Sequence, residues 1–166
     1  MNEILKRKAL RDDLTGLYNY GEIMKRLQAE INRAKRGNNE LTIMMLDVDD
    51  FKSINNNYGH VTGDKVLAGL AETINKNIRE IDIARRHGGD EFLIIFPDTN
   101  LNQAKIVAER MLNAIRKMDI EGIKITISAG LYNYSEEKTN EFVDKADKIL
   151  YKAKKDTKNI IMYNKP

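Results

Sequence analysis

The 166-residue chain contains no cysteine, which excludes disulfides, thiol chemistry and cysteine-ligated metals. Histidine is nearly missing too: His60 and His87 are the only two, too few for a histidine-rich zinc site. Long hydrophobic runs are absent. The longest largely apolar stretch, Leu41 to Leu46, falls far short of the roughly 20 residues that cross a bilayer. The opening MNEILKRKAL lacks the apolar core of a signal peptide, so the expected location is cytoplasmic, with no membrane contact from this segment. Neither sign of charge dominates: 28 Lys and Arg stand against 25 Asp and Glu, a net +3, and the basic residues are interspersed with acidic ones. That scatter describes solvated faces rather than a nucleic-acid surface, and no aromatic platform for stacking bases accompanies it. No segment is rich in Pro, Ser or Gly, and no repeat is visible.

What remains is the composition of one globular domain, 42% hydrophobic and 32% charged, long enough to bury a core. Residues 1–11 read as a short charged helix. Ile23, Leu27, Ile31 and Ala34 recur at helical spacing over 22–36, and Gly37-Asn38-Asn39 ends the run. LTIMMLDV (41–48) is continuously apolar inside, the pattern of a central strand covered on both faces. A helical period returns over 62–79. IDIARR (81–86) and EFLIIF (91–96) flank Gly88-Gly89 as a β-hairpin. An amphipathic helix over 102–118, a strand over 123–131, a helix over 139–154 and a last strand over 159–163 complete the chain. The order predicts an α/β sandwich, helices packed on a central mixed sheet, similar to the ferredoxin-like palm of polymerases and nucleotide cyclases. Fold alone names no function.

Two clusters carry chemistry. Asp47 and Asp49 end the central strand on one face, with Asp50 leaving it. Carboxylates at the mouth of an apolar strand must meet solvent, a cation or a helix start, and alone they read as turn-capping groups. The second cluster is His87-Gly88-Gly89-Asp90-Glu91-Phe92, whose glycines leave room for a phosphate to approach the backbone. Alone, a Gly-Gly turn is a hairpin device. On neighbouring strands the two clusters together supply hard oxygen ligands of the kind Mg²⁺ prefers.

D-x-L-T-G-L at Asp12 to Leu17, DVDDFKSINNNYGHVTGD (47–64) and RHGGDEF (86–92) together resemble a GGDEF domain of the diguanylate cyclase family, over almost the whole chain. The resemblance divides it into an N-terminal helix stub, 1–11, and a catalytic domain, 12–166. It implies that Asp47, the Val48 carbonyl and Asp90 bind Mg²⁺ (or Mn²⁺), with Glu91 serving a second ion or supporting the first. Two ions per site, roughly 3.5–4 Å apart, would stabilise the attacking and leaving oxygens. Asp90 would accept the 3′-hydroxyl proton, and Lys52 would meet the triphosphate, as would Lys154 and Lys158 near the C-terminus. Asn55 and Asp64 would read guanine, whose N1–H and N2–H donors suit a carboxylate. Asp64 also reads as a helix N-cap. Phe51 would pack near the nucleotide, with core packing as its other reading, and Gly88 and Gly89 would lie against phosphate.

Arg79-Glu80-Ile81-Asp82 matches the family's R-x-x-D inhibitory site, which would take cyclic di-GMP as an allosteric ligand. A surface ion pair is the plainer reading. The expected reaction is condensation of two GTP into cyclic di-GMP with release of two pyrophosphates. A twofold product from single-nucleotide sites fits a homodimer, brought together in a longer parent protein by an N-terminal sensor. The alternatives are a silent domain that binds GTP or cyclic di-GMP and signals by interaction, a cyclase taking ATP or mixed nucleotides, and a structural interaction domain. Two departures from the family stand out. Tyr20-Gly21 occupies a place where relatives carry Arg-Arg, and Thr157-Lys158-Asn159 one where they carry Gly-Arg-Asn. Lysine keeps the charge but loses arginine's bidentate fork. His87 reads as an exposed residue at a strand end, and His60 as part of a turn.

Overall fold

Packing decides where the apolar runs become sheet. The computed structural model describes residues 2–164; Met1, Lys165 and Pro166, the outer ends of the two expected segments, lie outside the described residues. Eleven elements follow in order: α1 Glu3–Ala9, α2 Tyr20–Gly37, β1 Leu41–Val48, α3 Phe51–Tyr58, α4 His60–Asn77, β2 Ile83–Gly88, β3 Glu91–Pro97, α5 Leu101–Arg116, β4 Ile127–Asn133, α6 Thr139–Asp156 and β5 Ile161–Tyr163. The sheet order is β2-β3-β1-β4-β5, antiparallel except for the parallel β4–β5 pair, so the expected mixed sheet with a central 41–48 strand is present.

Alternation along β1 splits its side chains between two cores. Met44, Leu46 and Val48 join residues of α4 and α5 on one face; Leu41, Ile43 and Met45 join residues of α2 and α6 on the other. A polar side chain fixes the start of one helix on each face. Asn19 caps α2 by accepting from the Glu22 amide, and Asn100 forms a capping box with Gln103 on α5.

Several boundaries depart from the sequence pattern, each for a local reason. A helix, α3, occupies Phe51–Tyr58, where only Ile54 is buried and no stripe announces it. α4 starts at His60, so Asp64 lies inside the helix and Gly59 occupies the N-cap. β2 starts at Ile83, not Ile81, because Asp82 is used in a turn with Arg79, and it runs on past Arg86 to Gly88. β4 begins at Ile127, opposite Val48, because β1 ends there and leaves 123–126 no ladder to join. At the far end, left-handed Lys158 and Asn159 (φ 54° and 49°) delay β5 to Ile161. The hairpin turn itself is Gly89-Asp90, Gly88 being the last residue of β2. Left-handed Asp50 (φ 56°) turns the chain from β1 directly into α3.

Candidate active site

The end of β1 places Asp47 in the sheet centre, opposite Glu91 on β3 and Ser128 on β4. Its residue is only 6% exposed. One oxygen, Oδ2, accepts from Lys154 Nζ of α6 at 2.5 Å, while Oδ1 is buried with no hydrogen-bond partner. Burial, with the neighbouring Asp90 carboxyl, pushes the Asp47 pKa up to about 8 although Lys154 pulls it down. Glu91 is also raised, first by burial and then by Asp147 and Asp90. Asp90, in the turn, accepts from the Val48 amide through its own carbonyl at 3.4 Å. Asp47, Asp90 and Glu91 therefore lie together at this end of the sheet, next to the Val48 main chain.

Those groups are short of positive charge. Among the described residues no group of three or more His, Cys, Asp or Glu side chains is arranged to hold a metal. A hard cation at this place would need phosphate and water oxygens to complete its shell beside the few protein oxygens. The orphaned, buried Asp47 Oδ1 is one of those protein oxygens: it lacks a proton donor, and a cation would supply the missing partner.

Asp49 was not assigned a role by sequence, and the structure gives it one. Its Oδ1 accepts from Ser128 Oγ at 2.6 Å; Oδ2 accepts from Thr126 Oγ1 at 2.6 Å and from the Asn159 amide at 2.8 Å. This buried carboxylate ties the C-terminal segment bearing Lys158 to the end of β1. Lys158 Nζ lies 2.7 Å from Asp50 Oδ1. Lys52 is exposed in the first turn of α3, whose N-terminal dipole also favours a phosphate. Nothing lies within 4 Å of where a Cβ would sit at Gly88 or Gly89, so that backbone faces open space.

The α3–α4 corner brings the base-reading candidates together. Asn55 Oδ1 is buried without a partner, and a Cβ on Gly63 would fall 1.8 Å from it and 3.3 Å from Phe51 Cζ. Gly63, which sequence reasoning passed over, is thus what lets α4 close on Asn55; Asp64 follows it, exposed. Phe51 is half-buried against the core of the α4 and α5 face.

At the hairpin, Arg86 Nε donates to the Gly89 carbonyl at 2.8 Å, and its Nη1 lies 3.6 Å from Asp12 Oδ1. Asp12 Oδ2 in turn accepts from the amide and hydroxyl of Thr15. His87 is half-buried and bonded to Arg85 rather than exposed, because a bulge between Arg86 and Gly88 turns it inward. His60 starts α4 and is exposed.

Arg79 and Asp82 lie at the opposite end of β2. Asp82's side chain is 0% exposed, with both oxygens engaged by Arg79: Oδ1 by Nη2 at 2.8 Å, Oδ2 by the amide at 2.8 Å and Nε at 3.2 Å. The Arg79 guanidinium also reaches the Pro97 carbonyl and Thr99 Oγ1, and is half-exposed on a cleft of about 610 Å³ lined also by Arg11, Tyr18 and Arg26. Asp82 holds Arg79 in place here, leaving the guanidinium as the accessible member of the pair.

A family model described as "Diguanylate cyclase, GGDEF domain" matches residues 9–160. The chain belongs to this family. GGDEF domains are nucleotidyltransferase-type cyclase domains that generally use a divalent metal. Diguanylate cyclase DgcP of Pseudomonas aeruginosa is 38% identical over 155 residues, 90% of this chain and 23% of that protein. Response regulator PleD of Caulobacter vibrioides is 34% identical over 167 residues, 93% of this chain and 36% of PleD. The chain thus spans about a quarter to two-fifths of the curated relatives it matches. Among solved structures, diguanylate cyclase SiaD of Pseudomonas aeruginosa, in complex with its activator SiaC, superposes with a TM-score of 0.93 at 34% identity, over 98% of this chain and 65% of SiaD. The GGDEF domain of DgcB from Caulobacter crescentus, in complex with c-di-GMP, gives 0.90 at 27% identity, over 93% of this chain and 95% of that one. Among the described residues of this GGDEF chain, no helix is long and apolar enough to cross a membrane.

Proposed function

We propose that this GGDEF domain condenses two GTP molecules into cyclic di-GMP and two pyrophosphates, in the cytoplasm, as a homodimer dependent on Mg²⁺ or Mn²⁺. The observation that carries this reading is the buried, unpartnered Asp47 oxygen beside Asp90 and Lys154, a carboxylate pair short of a cation. When bound, the ions, two per site, would polarise the reacting phosphate and the attacking hydroxyl. Asp47, the Val48 carbonyl, Asp90 and Glu91 would hold them.

The remaining work falls to the chain's own groups. Asn55 and Asp64 bind the guanine edge, with Phe51 packed beside them, and adenine would leave Asp64 without a donor, a mismatch worth about 10⁴ in such sites. Lys52, Lys154 and Lys158 balance the triphosphate, and the open backbone of Gly88 and Gly89 lets it approach. The 3′-oxygen of one GTP forms a bond to the α-phosphorus of the other as the bond to the β-phosphate oxygen breaks, and pyrophosphate leaves. Asp90, aided by Glu91, whose raised pKa suits proton uptake, accepts the 3′-hydroxyl proton. The same step with roles exchanged closes the ring, so two half-sites must face each other across a twofold axis. Arg79 offers the cyclic product a phosphate or base contact at the far end of β2, with Asp82 fixing its fork.

Incubating the purified chain with GTP and Mg²⁺, then separating products by chromatography, should give cyclic di-GMP and pyrophosphate. A folded Asp90→Asn variant should give none. Turnover of ATP at a comparable rate would overturn the guanine assignment. Nucleotide binding without product by the wild type would instead support a silent binding domain.

A further inference from the structure

Arg85 is the largest side chain among those wholly buried in the core, at 0% exposure. It sits on the α2 and α6 face of the sheet: its cross-strand partner Leu93 belongs to that core, as does Ile83 two residues before it. An apolar residue would suit that place. The guanidinium instead stacks under the Tyr20 ring, 4.4 Å from its centroid, while Nε and Nη1 have no hydrogen-bond partner. Burial lowers its pKa to about 10, with Tyr20 pulling the other way. A buried, half-satisfied cation costs stability, so its presence calls for a compensating use.

That use lies two residues on. The bulge between Arg86 and Gly88 lifts His87 out of register with β3, removing the ladder bond that would hold its carbonyl. Arg85 Nη2 donates to that carbonyl at 3.2 Å and also contacts His87 Nδ1. Arg86 performs the matching act beyond the bulge, on the Gly89 carbonyl at 2.8 Å. Two consecutive strand residues point to opposite faces. The turn is therefore gripped from both sides, by Arg86 tied to Asp12 and by Arg85 seated beneath Tyr20.

We propose that Arg85 is a positioning residue for the hairpin: anchored under Tyr20, it holds the bulged His87 carbonyl and so sets the path of Gly88 through Glu91. Tyr20, at the start of α2, roofs a guanidinium supplied by the neighbouring strand. Any consequence for GTP turnover rests on the function proposed above; the geometry of the turn does not.

The test compares Arg85→Met, Arg85→Lys, Tyr20→Phe and Tyr20→Ala by amide NMR of Gly88 and Gly89, Mn²⁺ affinity by electron paramagnetic resonance without nucleotide, melting temperature, and GTP turnover. Arg85→Met should keep or raise the melting temperature, broaden or split the glycine signals, and weaken Mn²⁺ affinity and kcat by about 10- to 100-fold, with KM for GTP moving far less. Arg85→Lys, which can still donate to the carbonyl, should recover single sharp glycine signals and part of both losses. Tyr20→Ala removes only an exposed ring, keeps the test open should Arg85→Met fail to fold, and should show the same changes to a smaller degree, Tyr20→Phe showing none. Unaltered glycine signals and Mn²⁺ affinity in Arg85→Met, or in Tyr20→Ala if Arg85→Met does not fold, would overturn the proposal. Absence of cyclic di-GMP from the wild type would overturn the proposed function alone, because the glycine signals and Mn²⁺ affinity would still report on the brace.

Discussion

At the scale of single residues, Asp47 is a destabilising group: Lys154 meets one oxygen, but burial and the unpartnered second oxygen outweigh it. Its folded pKa of about 8 lies above the ordinary carboxylate value, so the folded state binds more protons than the unfolded state between those limits. Metal-free stability should therefore fall as pH rises through that window. Asp47→Asn should melt higher than wild type at pH 8 in chelator, the gap shrinking as pH falls and closing below pH 4, where the unfolded wild type also takes up the proton. Mg²⁺ should raise the melting temperature of wild type at pH 8 and leave the variant nearly unmoved; differential scanning calorimetry reads both. Glu137 is the opposite case. Burial pushes its pKa up, but bonds from the Tyr132 hydroxyl (2.6 Å), the Ser135 amide (2.7 Å) and Lys145 (3.0 Å) win, and the net shift is downward. Its contribution is present above the ordinary glutamate pKa and lost as pH falls through the folded one. Glu137→Gln should cost about 1–3 kcal/mol in urea unfolding at pH 7, and little once acid has protonated the wild-type group.

At the scale of elements, the α3–α4 corner shows how one missing side chain shapes a site. Gly63→Ala would drive a methyl into Asn55 Oδ1, 1.8 Å away. The variant should raise KM for GTP by about tenfold or more, reduce preference for GTP over ATP, and melt somewhat lower; steady-state kinetics with both nucleotides measures it. The same corner marks a limit of legibility. The 102–118 helix and the 41–48 strand were readable because buried residues recur at one period. α3 was not, since FKSINNNY has one buried residue and three asparagines that favour turns. The ends of β2 and β4 were misplaced because the extent of β1 and the Asp82 turn set them, not their own hydrophobicity. Asp47, Asp90, Lys154 and Lys158 were assigned roles only through the resemblance of their motifs. The work of Asp49 was invisible, its partners Thr126 and Asn159 standing 77 and 110 positions away.

At the scale of the whole molecule, the two ends of β2 present different features: the hairpin with Asp90 at one, Arg79 and its cleft at the other. If the proposed half-sites must meet in a dimer, turnover per subunit should rise with protein concentration, and fusion to a leucine zipper should raise it further. If product bound at Arg79 favours an arrangement that keeps half-sites apart, a coupling of about 1–3 kcal/mol gives roughly 5- to 150-fold inhibition. Arg79→Ala should relieve that inhibition with initial turnover nearly unchanged. Progress curves over a dilution series, with and without added cyclic di-GMP, test both expectations.

The bond from Asn159 to Asp49 closes a loop of 110 residues at the centre of the site. Closures of that length are paid late in folding, after local helices and hairpins have formed. On a ribosome, the segment from Lys154 to Asn159 also leaves the exit tunnel after everything it must meet. The segment bearing Lys158 would then dock beside β1 only after the sheet around Asp49 has formed. A growing chain would hold the finished β2 edge and the Arg79 cleft before the anchor of Asn159 on Asp49 could close.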